Sequence, residues 1–128
     1  MKKINISIVG TGLMGLQHIK AISKSKRANL HSIVDISKNA EKLSKKYKVP
    51  LYSDTEELLC SKNLDAVIVA TPNRLHETHA VKILKKKIPV LLEKPISDNI
   101  KSAKKIIDSS KKNKTPLLIG YHRRHNSI

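Results

Sequence analysis

The sequence predicts a single domain of the doubly wound α/β class, with a parallel sheet covered by helices on both faces. Short apolar runs of strand length alternate with segments in which apolar residues recur at helical spacing, from residue 4 to residue 120. Glycines and polar residues follow the ends of these apolar runs, and ligands bind at that edge of doubly wound sheets. A chain of 128 residues is long enough for one such domain, which we place at residues 1–120.

The first strand and the glycine-rich turn behind it organise the N-terminal region. Residues 4–9 form a short apolar run, and the pattern G-x-G-x-x-G follows directly as Gly10, Thr11, Gly12, Leu13, Met14 and Gly15. Gly10 permits a tight turn, Gly12 allows the backbone to approach a pyrophosphate, and Gly15 lets the next helix pack closely on the strand. That helix carries Leu13, Leu16, Ile19 and Ile22 at three-residue spacing, which predicts a ridge packed on the sheet. Its free N–H groups and positive dipole end then face the phosphates. The turn therefore predicts a dinucleotide site.

An acidic residue completes this pattern at the end of the second predicted strand, residues 31–34. Asp35 follows Gly15 at about the 20-residue separation typical of dinucleotide-binding domains. Its carboxylate is expected to accept hydrogen bonds from the adenosine ribose hydroxyls and to repel a 2′-phosphate. We therefore predict NAD as the cofactor and keep NADP as the alternative, because Ser37 and nearby lysines soften the discrimination. The other interpretation is a glycine turn that binds no nucleotide.

The middle of the chain predicts a helix, an edge strand and a short helix. Ser37 is expected to cap the first helix. Its apolar face is formed by Ala40, Leu43 and Tyr47. The proline within residues 49–52 confines that strand to the edge of the sheet. A capping box at residues 53–56 begins a short helix through Cys60, the single cysteine of the chain, which we expect to be a buried, inert thiol.

Two further strands, predicted at residues 66–70 and 89–92, end at the same edge of the sheet. Both are unbroken apolar runs, which are typical of strands buried on two faces. The inward side of the helix between them is expected to carry His76, Ala80, Ile83 and Leu84. Ser97 is expected to cap a last helix, and residues 117–120 form the final strand. The inward side of that helix is expected to carry Ile100, Ala103, Ile106 and Ile107.

Lys94 is the candidate catalytic residue. It lies between Glu93 and Pro95 at the end of a predicted buried strand, on the edge where the cofactor is expected. A lysine at that position can donate to a substrate hydroxyl or carbonyl and stabilise the alkoxide that forms during hydride transfer. The alternative is an ordinary surface lysine in a lysine-rich chain.

The histidines allow several interpretations. His76 either packs against the loop that carries Asn73 or lines the nicotinamide end of the site. His76 and His79 are three residues apart, whereas a zinc-binding H-E-x-x-H helix needs them four apart, so no metal site is predicted. His122 and His125 belong either to a substrate-contacting loop or to a frayed terminal tail.

The formal net charge of +16 raises nucleic acid as a partner. Base stacking needs aromatic residues, and the chain has three tyrosines, no phenylalanine and no tryptophan. We therefore expect a solvated lysine surface and no specific nucleic-acid partner. The alternative is nonspecific nucleic-acid binding by this surface, which would weaken steeply with salt and would not depend on Asp35. No apolar stretch approaches about 20 residues, so no membrane partner is predicted. One cysteine allows no internal disulfide, which favours a reducing, cytoplasmic location.

Four motifs occur in the order and spacing of one known family. They are the glycine motif, Ala70-Thr71-Pro72-Asn73-Arg74-Leu75-His76, Glu93-Lys94-Pro95 and Gly120-Tyr121-His122-Arg123-Arg124-His125-Asn126. With these motifs the chain resembles the N-terminal domain of the Gfo/Idh/MocA oxidoreductases, the glucose-fructose oxidoreductase and inositol dehydrogenase family. The resemblance implies a Rossmann fold that holds NAD(P).

The resemblance also implies roles for individual residues. The implied cofactor-binding residues are Gly10, Thr11, Gly12, Leu13, Met14, Gly15, Asp35, Ala70, Thr71, Pro72, Asn73, His76, Glu93 and Lys94. Lys94 would be the family's lysine that contacts the substrate near the nicotinamide and assists proton transfer. The implied reaction is hydride transfer at a carbinol of a sugar, cyclitol or related polyol.

In this family a C-terminal domain supplies the substrate-binding and oligomer-forming sheet and the usual catalytic Asp and His. We expect residues 121–128 to begin the connection to such a domain. Without its wall, the chain is expected to bind cofactor without turnover, since hydride transfer needs a closed, dry site. The uncovered apolar surface is expected to promote association. The alternative is a stand-alone NAD-binding module or sensor that works with a partner chain.

Overall fold

The structure, a computed structural model, describes residues 2–121, in which strands and helices alternate. The strands are β1 (Ile4–Val9), β2 (Ala28–Val34), β3 (Leu51–Tyr52), β4 (Ala66–Val69), β5 (Val90–Glu93) and β6 (Leu117–Gly120). The helices are α1 (Leu13–Lys24), α2 (Lys38–Tyr47), α3 (Thr55–Leu59), α4 (His76–Lys85) and α5 (Ile100–Lys112), and a 3₁₀ turn at Asn73–Leu75 precedes α4. The predicted alternation is confirmed.

The strands form one sheet in the order β3-β2-β1-β4-β5-β6, and each neighbouring pair described is parallel. The chain runs outward from β1 to β3, returns to the middle at β4, and runs outward again to β6. The direction of winding therefore reverses between β1 and β4. This reversal opens a crevice at the carboxyl ends of those two strands, where ligands of doubly wound sheets bind. The predicted doubly wound parallel sheet, a Rossmann fold, is confirmed.

Apolar side chains on the two faces of the sheet form two separate core clusters. Successive strand residues point to opposite faces, so Ile8 belongs to the cluster with α1 and α2, and Val9 belongs to the cluster with α3, α4 and α5. Ile83 and Leu84 of α4 are fully buried, as predicted. The central strands are covered by helices on both faces, which explains why their sequences are unbroken apolar runs.

The helix caps agree with the sequence at one position and differ at two. Ser37 caps α2 as predicted, and its hydroxyl accepts a hydrogen bond from Ala40 N at 3.2 Å. Asp54 caps α3 in place of Ser53, the first residue of the predicted capping box, because its Oδ1 accepts a hydrogen bond from Glu57 N at 2.8 Å. In α5, Asn99 replaces Ser97, with its Oδ1 accepting from Ser102 N at 2.8 Å.

Three predicted burials are wrong because the residues lie at helix ends. Ile100 is the first residue of α5 and is 87% exposed. Leu13, the first residue of α1, is 77% exposed at the glycine turn. Cys60 is an exposed thiol that lies just beyond Leu59, the last residue of α3. Between residues 2 and 121, the helices are too short or too polar to cross a membrane.

Candidate dinucleotide site

A cleft of about 690 Å³ lies at the carboxyl ends of β1, β2, β4 and β5. Most of the predicted site residues line it. They are residues 10–14 of the glycine turn, Asp35, residues 70–72, Glu93 and Lys94. Gly15, Asn73 and His76 are not part of the described cleft wall. The topology thus brings together side chains from four separate strand ends.

The glycine turn is shaped by close backbone contacts. Gly10 has a φ of +97°, and a Cβ atom there would lie 2.6 Å from the carbonyl oxygen of Ala70. A Cβ atom on Gly15 would lie 1.9 Å from the carbonyl oxygen of Gly10, so this glycine lets α1 lie against the turn. A Cβ atom on Gly12 would meet nothing within 4 Å. The space at Gly12 is therefore open cleft, as a cradle for a pyrophosphate requires.

The N-terminus of α1 opens on the same cleft. Gly12 is its cap residue and offers no side chain to accept a hydrogen bond from the first turn. No acidic residue stands in that turn either. Free N–H groups at a helix N-terminus, together with the helix dipole, attract an anion. The end of α1 is thus chemically suited to the phosphates of a dinucleotide.

Asp35 ties the end of β2 to the glycine turn. Its Oδ2 accepts hydrogen bonds from the Thr11 amide at 2.7 Å and from the Thr11 hydroxyl at 2.6 Å, and Oδ1 accepts from Ser37 N at 3.0 Å. Burial alone would raise the pKa of Asp35, but the hydrogen bonds from Thr11, Ser37 and the Ile36 amide outweigh it and lower the pKa. The carboxylate is therefore negative at neutral pH. Its Oδ1 keeps a lone pair for a ribose hydroxyl.

The wall opposite Asp35 contains an unsatisfied polar atom. Thr71 follows β4, lines the cleft, and has a buried hydroxyl oxygen without a hydrogen-bond partner among the described residues. Buried polar atoms in folded proteins almost always have a partner. An unpaired hydroxyl in the wall of an open cleft fits a site whose ligand supplies hydrogen bonds.

His76 lies behind this wall and is fully buried. Its Nε2 is 2.9 Å from the carbonyl oxygen of Thr71, and its Nδ1 is 3.0 Å from that of Pro95. The ring thereby joins the loop after β4 to the loop that carries Lys94. It packs against backbone, as one of the two interpretations from the sequence proposed, although the contacts are to Thr71 and Pro95 and not to Asn73.

The end of β5 contains a residue pair that sequence reasoning missed. Glu93 is 7% exposed, and its Oε1 lies 2.6 Å from Nε2 of His18 on α1. A Cβ atom on Gly120 would lie 3.0 Å from the same oxygen, so that glycine leaves room for the carboxylate. Lys94 follows on the exposed edge, and its bond to Pro95 is cis. The position of His18, one helical turn after Gly15, was the available signal.

His79 also lines the cleft, although the sequence did not predict it as a site residue. Its Nδ1 lies 2.6 Å from the hydroxyl of Thr55, which is 1% exposed. Burial and then the charge of Lys82 lower the pKa of His79, and the carboxylate of Glu56 only partly opposes them. The imidazole is therefore neutral at physiological pH. Among residues 2–121, no group of three or more His, Cys, Asp or Glu side chains could hold a metal ion.

The predicted histidine and arginine cluster at residues 122–125 lies outside the described residues. Tyr121, which precedes it, is 42% exposed beside the end of β6.

Comparisons with known proteins identify the family of this domain. The family model of an oxidoreductase family with an NAD-binding Rossmann fold matches residues 4–121. Inositol 2-dehydrogenase of Arthrobacter sp. (strain FB24) is 31% identical, over 97% of this chain and 38% of that protein. An uncharacterized oxidoreductase of Streptococcus pneumoniae is 30% identical, over 92% of this chain and 32% of that protein. The chain thus spans roughly a third of the length of these relatives.

Solved structures show the same fold. An NAD-binding protein from Listeria innocua superposes with a TM-score of 0.86 and 28% identity, over 96% of this chain and 36% of that one. Scyllo-inositol dehydrogenase from Lactobacillus casei with bound NAD(H) and scyllo-inositol superposes with a TM-score of 0.92 and 24% identity, over 98% of this chain and 38% of that one. The chain belongs to the Gfo/Idh/MocA oxidoreductase family, of which it carries the NAD-binding Rossmann domain.

Proposed function

We propose that this chain is the cofactor-binding part of a dehydrogenase that transfers hydride between a nicotinamide dinucleotide and a sugar, cyclitol or related polyol. The observation that carries the proposal is the cleft in which the open cradle at Gly12, the uncapped end of α1 and the ionised Asp35 meet. Inositol dehydrogenases among the relatives support the substrate class.

The cofactor of choice is NAD. A dinucleotide with its pyrophosphate at Gly12 places the adenosine ribose beside Asp35. The lowered pKa of Asp35 keeps its carboxylate negative, so a 2′-phosphate meets like charge, whereas a 2′-hydroxyl finds an acceptor. NADP remains the weaker cofactor in this proposal.

The nicotinamide half lies toward the loops that follow β4 and β5. Thr71 and Pro72 border the nicotinamide ribose, and Lys94 donates to the reacting hydroxyl or carbonyl oxygen of the substrate. His76 acts indirectly by holding these two loops together through its contacts to Thr71 and Pro95. Bound nicotinamide supplies the hydride acceptor, and Lys94 stabilises negative charge on the substrate oxygen.

Lys94 is exposed on an open edge, so the nicotinamide end needs a cover before hydride transfer is efficient. In the leading proposal that cover is a further domain of the same polypeptide. In the second, the chain is an NAD-binding module or sensor whose cover is a partner chain. The relatives, about three times as long as the matched region, favour the first.

A test of the first proposal combines NADH binding with turnover. The purified chain is expected to bind NADH, detected by nicotinamide fluorescence, and to reduce NAD with none of a panel of inositols and aldoses above the buffer rate. The longer polypeptide carrying this domain should reduce NAD with at least one of them, and Lys94→Ala should remove that activity. A longer polypeptide that binds NADH but remains inactive with every polyol would contradict the dehydrogenase proposal.

A further inference from the structure

His79 stands at the end of the cleft where the adenosine half of a dinucleotide is expected. The Asp35 amide donates to the Tyr52 carbonyl at 3.1 Å, which places the end of β3 beside Asp35. Ser53 follows and lines the cleft, and Thr55, two residues later, contacts His79 at 2.6 Å. A short run of contacts therefore connects the ribose-binding acid to this imidazole.

The His79 ring is held at one nitrogen and free at the other. The hydroxyl of the buried Thr55 forms a hydrogen bond with Nδ1. In residues 2–121 the structure gives Nε2 no hydrogen-bond partner. One fixed nitrogen restricts rotation of an imidazole and leaves the second available to a ligand. A ring that served only to join α3 and α4 would need the Thr55 contact but no place in the cleft wall, where His79 also lies.

The surfaces around His79 suit a purine base. Ile36 directly follows Asp35 and is 87% exposed, and Leu75 lines the cleft on the side of α4. Apolar side chains of this kind pack on the faces of a planar base, whereas a polar group is needed at its edge. His79 is the imidazole that the described cleft wall offers at this end.

We propose that Nε2 of His79 hydrogen-bonds the amino edge of the adenine base, which makes His79 a residue that determines base specificity. This proposal rests on the proposed function, because it takes the ribose to be bound at Asp35. The edge of adenine farthest from its ribose carries N6 and N1, so a base extending from Asp35 presents that edge to α4. In the tautomer whose Nδ1–H donates to the Thr55 hydroxyl, Nε2 accepts a hydrogen bond from the N6 amino group. Hypoxanthine has a carbonyl oxygen in place of that amino group, so this hydrogen bond is lost.

The test compares NAD with nicotinamide hypoxanthine dinucleotide by calorimetric titration of the same protein preparation. Wild type is expected to bind NAD about threefold to tenfold more tightly, the range for one net hydrogen bond. His79→Leu should abolish that ratio, and Thr55→Val should reduce it by releasing the ring. His79→Gln, which restores an amide near the position of Nε2, should recover part of it. The ratio does not depend on the folded fraction, since both ligands report on the same molecules.

Each outcome separates this inference from the proposed function. If wild type binds both dinucleotides equally, or if His79→Leu retains the wild-type ratio, the base-reading role is wrong and the dinucleotide site stands. If folded wild type binds neither dinucleotide, the proposed function itself is overturned. A loss of thermal stability in His79→Leu with an unchanged ratio would assign the residue a purely structural role.

Discussion

In our proposal, Asp35 serves both the cofactor site and the fold through the same carboxylate. Two of its hydrogen bonds come from Thr11 in the glycine turn and one from Ser37 at the start of α2. The sequence predicted the ribose role from the position of an acid after a strand. It did not predict the bonds to Thr11, because they depend on how closely the turn folds back on β2.

The pH dependence of stability tests this double role. Since the folded pKa of Asp35 lies below its ordinary value of 3.8, the unfolded chain binds a proton more readily in that range. The stabilisation by Asp35 is complete above pH 3.8 and is lost as the pH falls through the folded pKa. Urea unfolding from pH 7 to pH 2.5 should show the difference between wild type and Asp35→Asn shrinking below pH 4. Asp108→Asn, at an exposed position on α5, is the control for the general effect of removing one carboxylate.

Two glycines of the turn offer a matched pair of substitutions. A Cβ atom on Gly12 enters open cleft, whereas one on Gly15 meets backbone at 1.9 Å. We expect Gly12→Ala to change the free energy of unfolding by less than about 0.5 kcal/mol and to weaken NAD binding by at least about tenfold. Gly15→Ala should lower the free energy of unfolding by about 1–3 kcal/mol. Chemical denaturation and calorimetry measure both quantities, and a Gly12→Ala protein with wild-type affinity would argue against the pyrophosphate cradle.

Among the elements, helix α1 has two contacts that matter for the site, one at its N-terminus and one in its middle. Its N-terminus faces the cleft, and His18 in its middle contacts Glu93 at the end of β5. The sequence predicted α1 and β5 correctly as elements. It could not predict this contact between residues 75 apart, because the contact depends on the position of the helix across the sheet.

A double-mutant cycle measures how strongly α1 and β5 are coupled. His18→Ala and Glu93→Gln are each expected to lower the free energy of unfolding by about 1–3 kcal/mol. Together they should cost less than the sum of the two, with a coupling energy of at least about 0.5 kcal/mol. The same change at the exposed Glu41 of α2, Glu41→Gln, should be additive with His18→Ala. If the effects of His18→Ala and Glu93→Gln on the free energy of unfolding were also additive, the His18–Glu93 contact would add no stability.

Errors in the sequence interpretation cluster at element ends. Apolar periodicity identified the strands and helices, but it located the caps of α3 and α5 one or two residues early. The same cause placed Ile100 and Cys60 in the core, although both are exposed. Local hydrogen bonds from Asp54 and Asn99 decide these boundaries, and several neighbouring residues in each segment are equally capable caps.

At the scale of the whole molecule, the order of the strands makes the site. The reversal between β1 and β4 brings the glycine turn, Asp35, the Thr71 loop and Lys94 to one edge of the sheet. These residues are far apart in sequence, and the alternation of strands and helices alone predicted their convergence. The open edge at Lys94 and the length of the relatives are the two observations behind our proposal that hydride transfer needs a cover over this cleft.

We propose that this cleft binds NAD and that Asp35 selects it over NADP. The most direct test is calorimetric titration of the folded chain with both dinucleotides, for wild type, Asp35→Ala and the charge-matched control Asp108→Ala. We expect wild type and Asp108→Ala to bind NAD at least about tenfold more tightly than NADP, and Asp35→Ala to lose that preference. An Asp35→Ala protein that still prefers NAD, or a folded wild type that binds neither dinucleotide at millimolar concentration, would contradict the account.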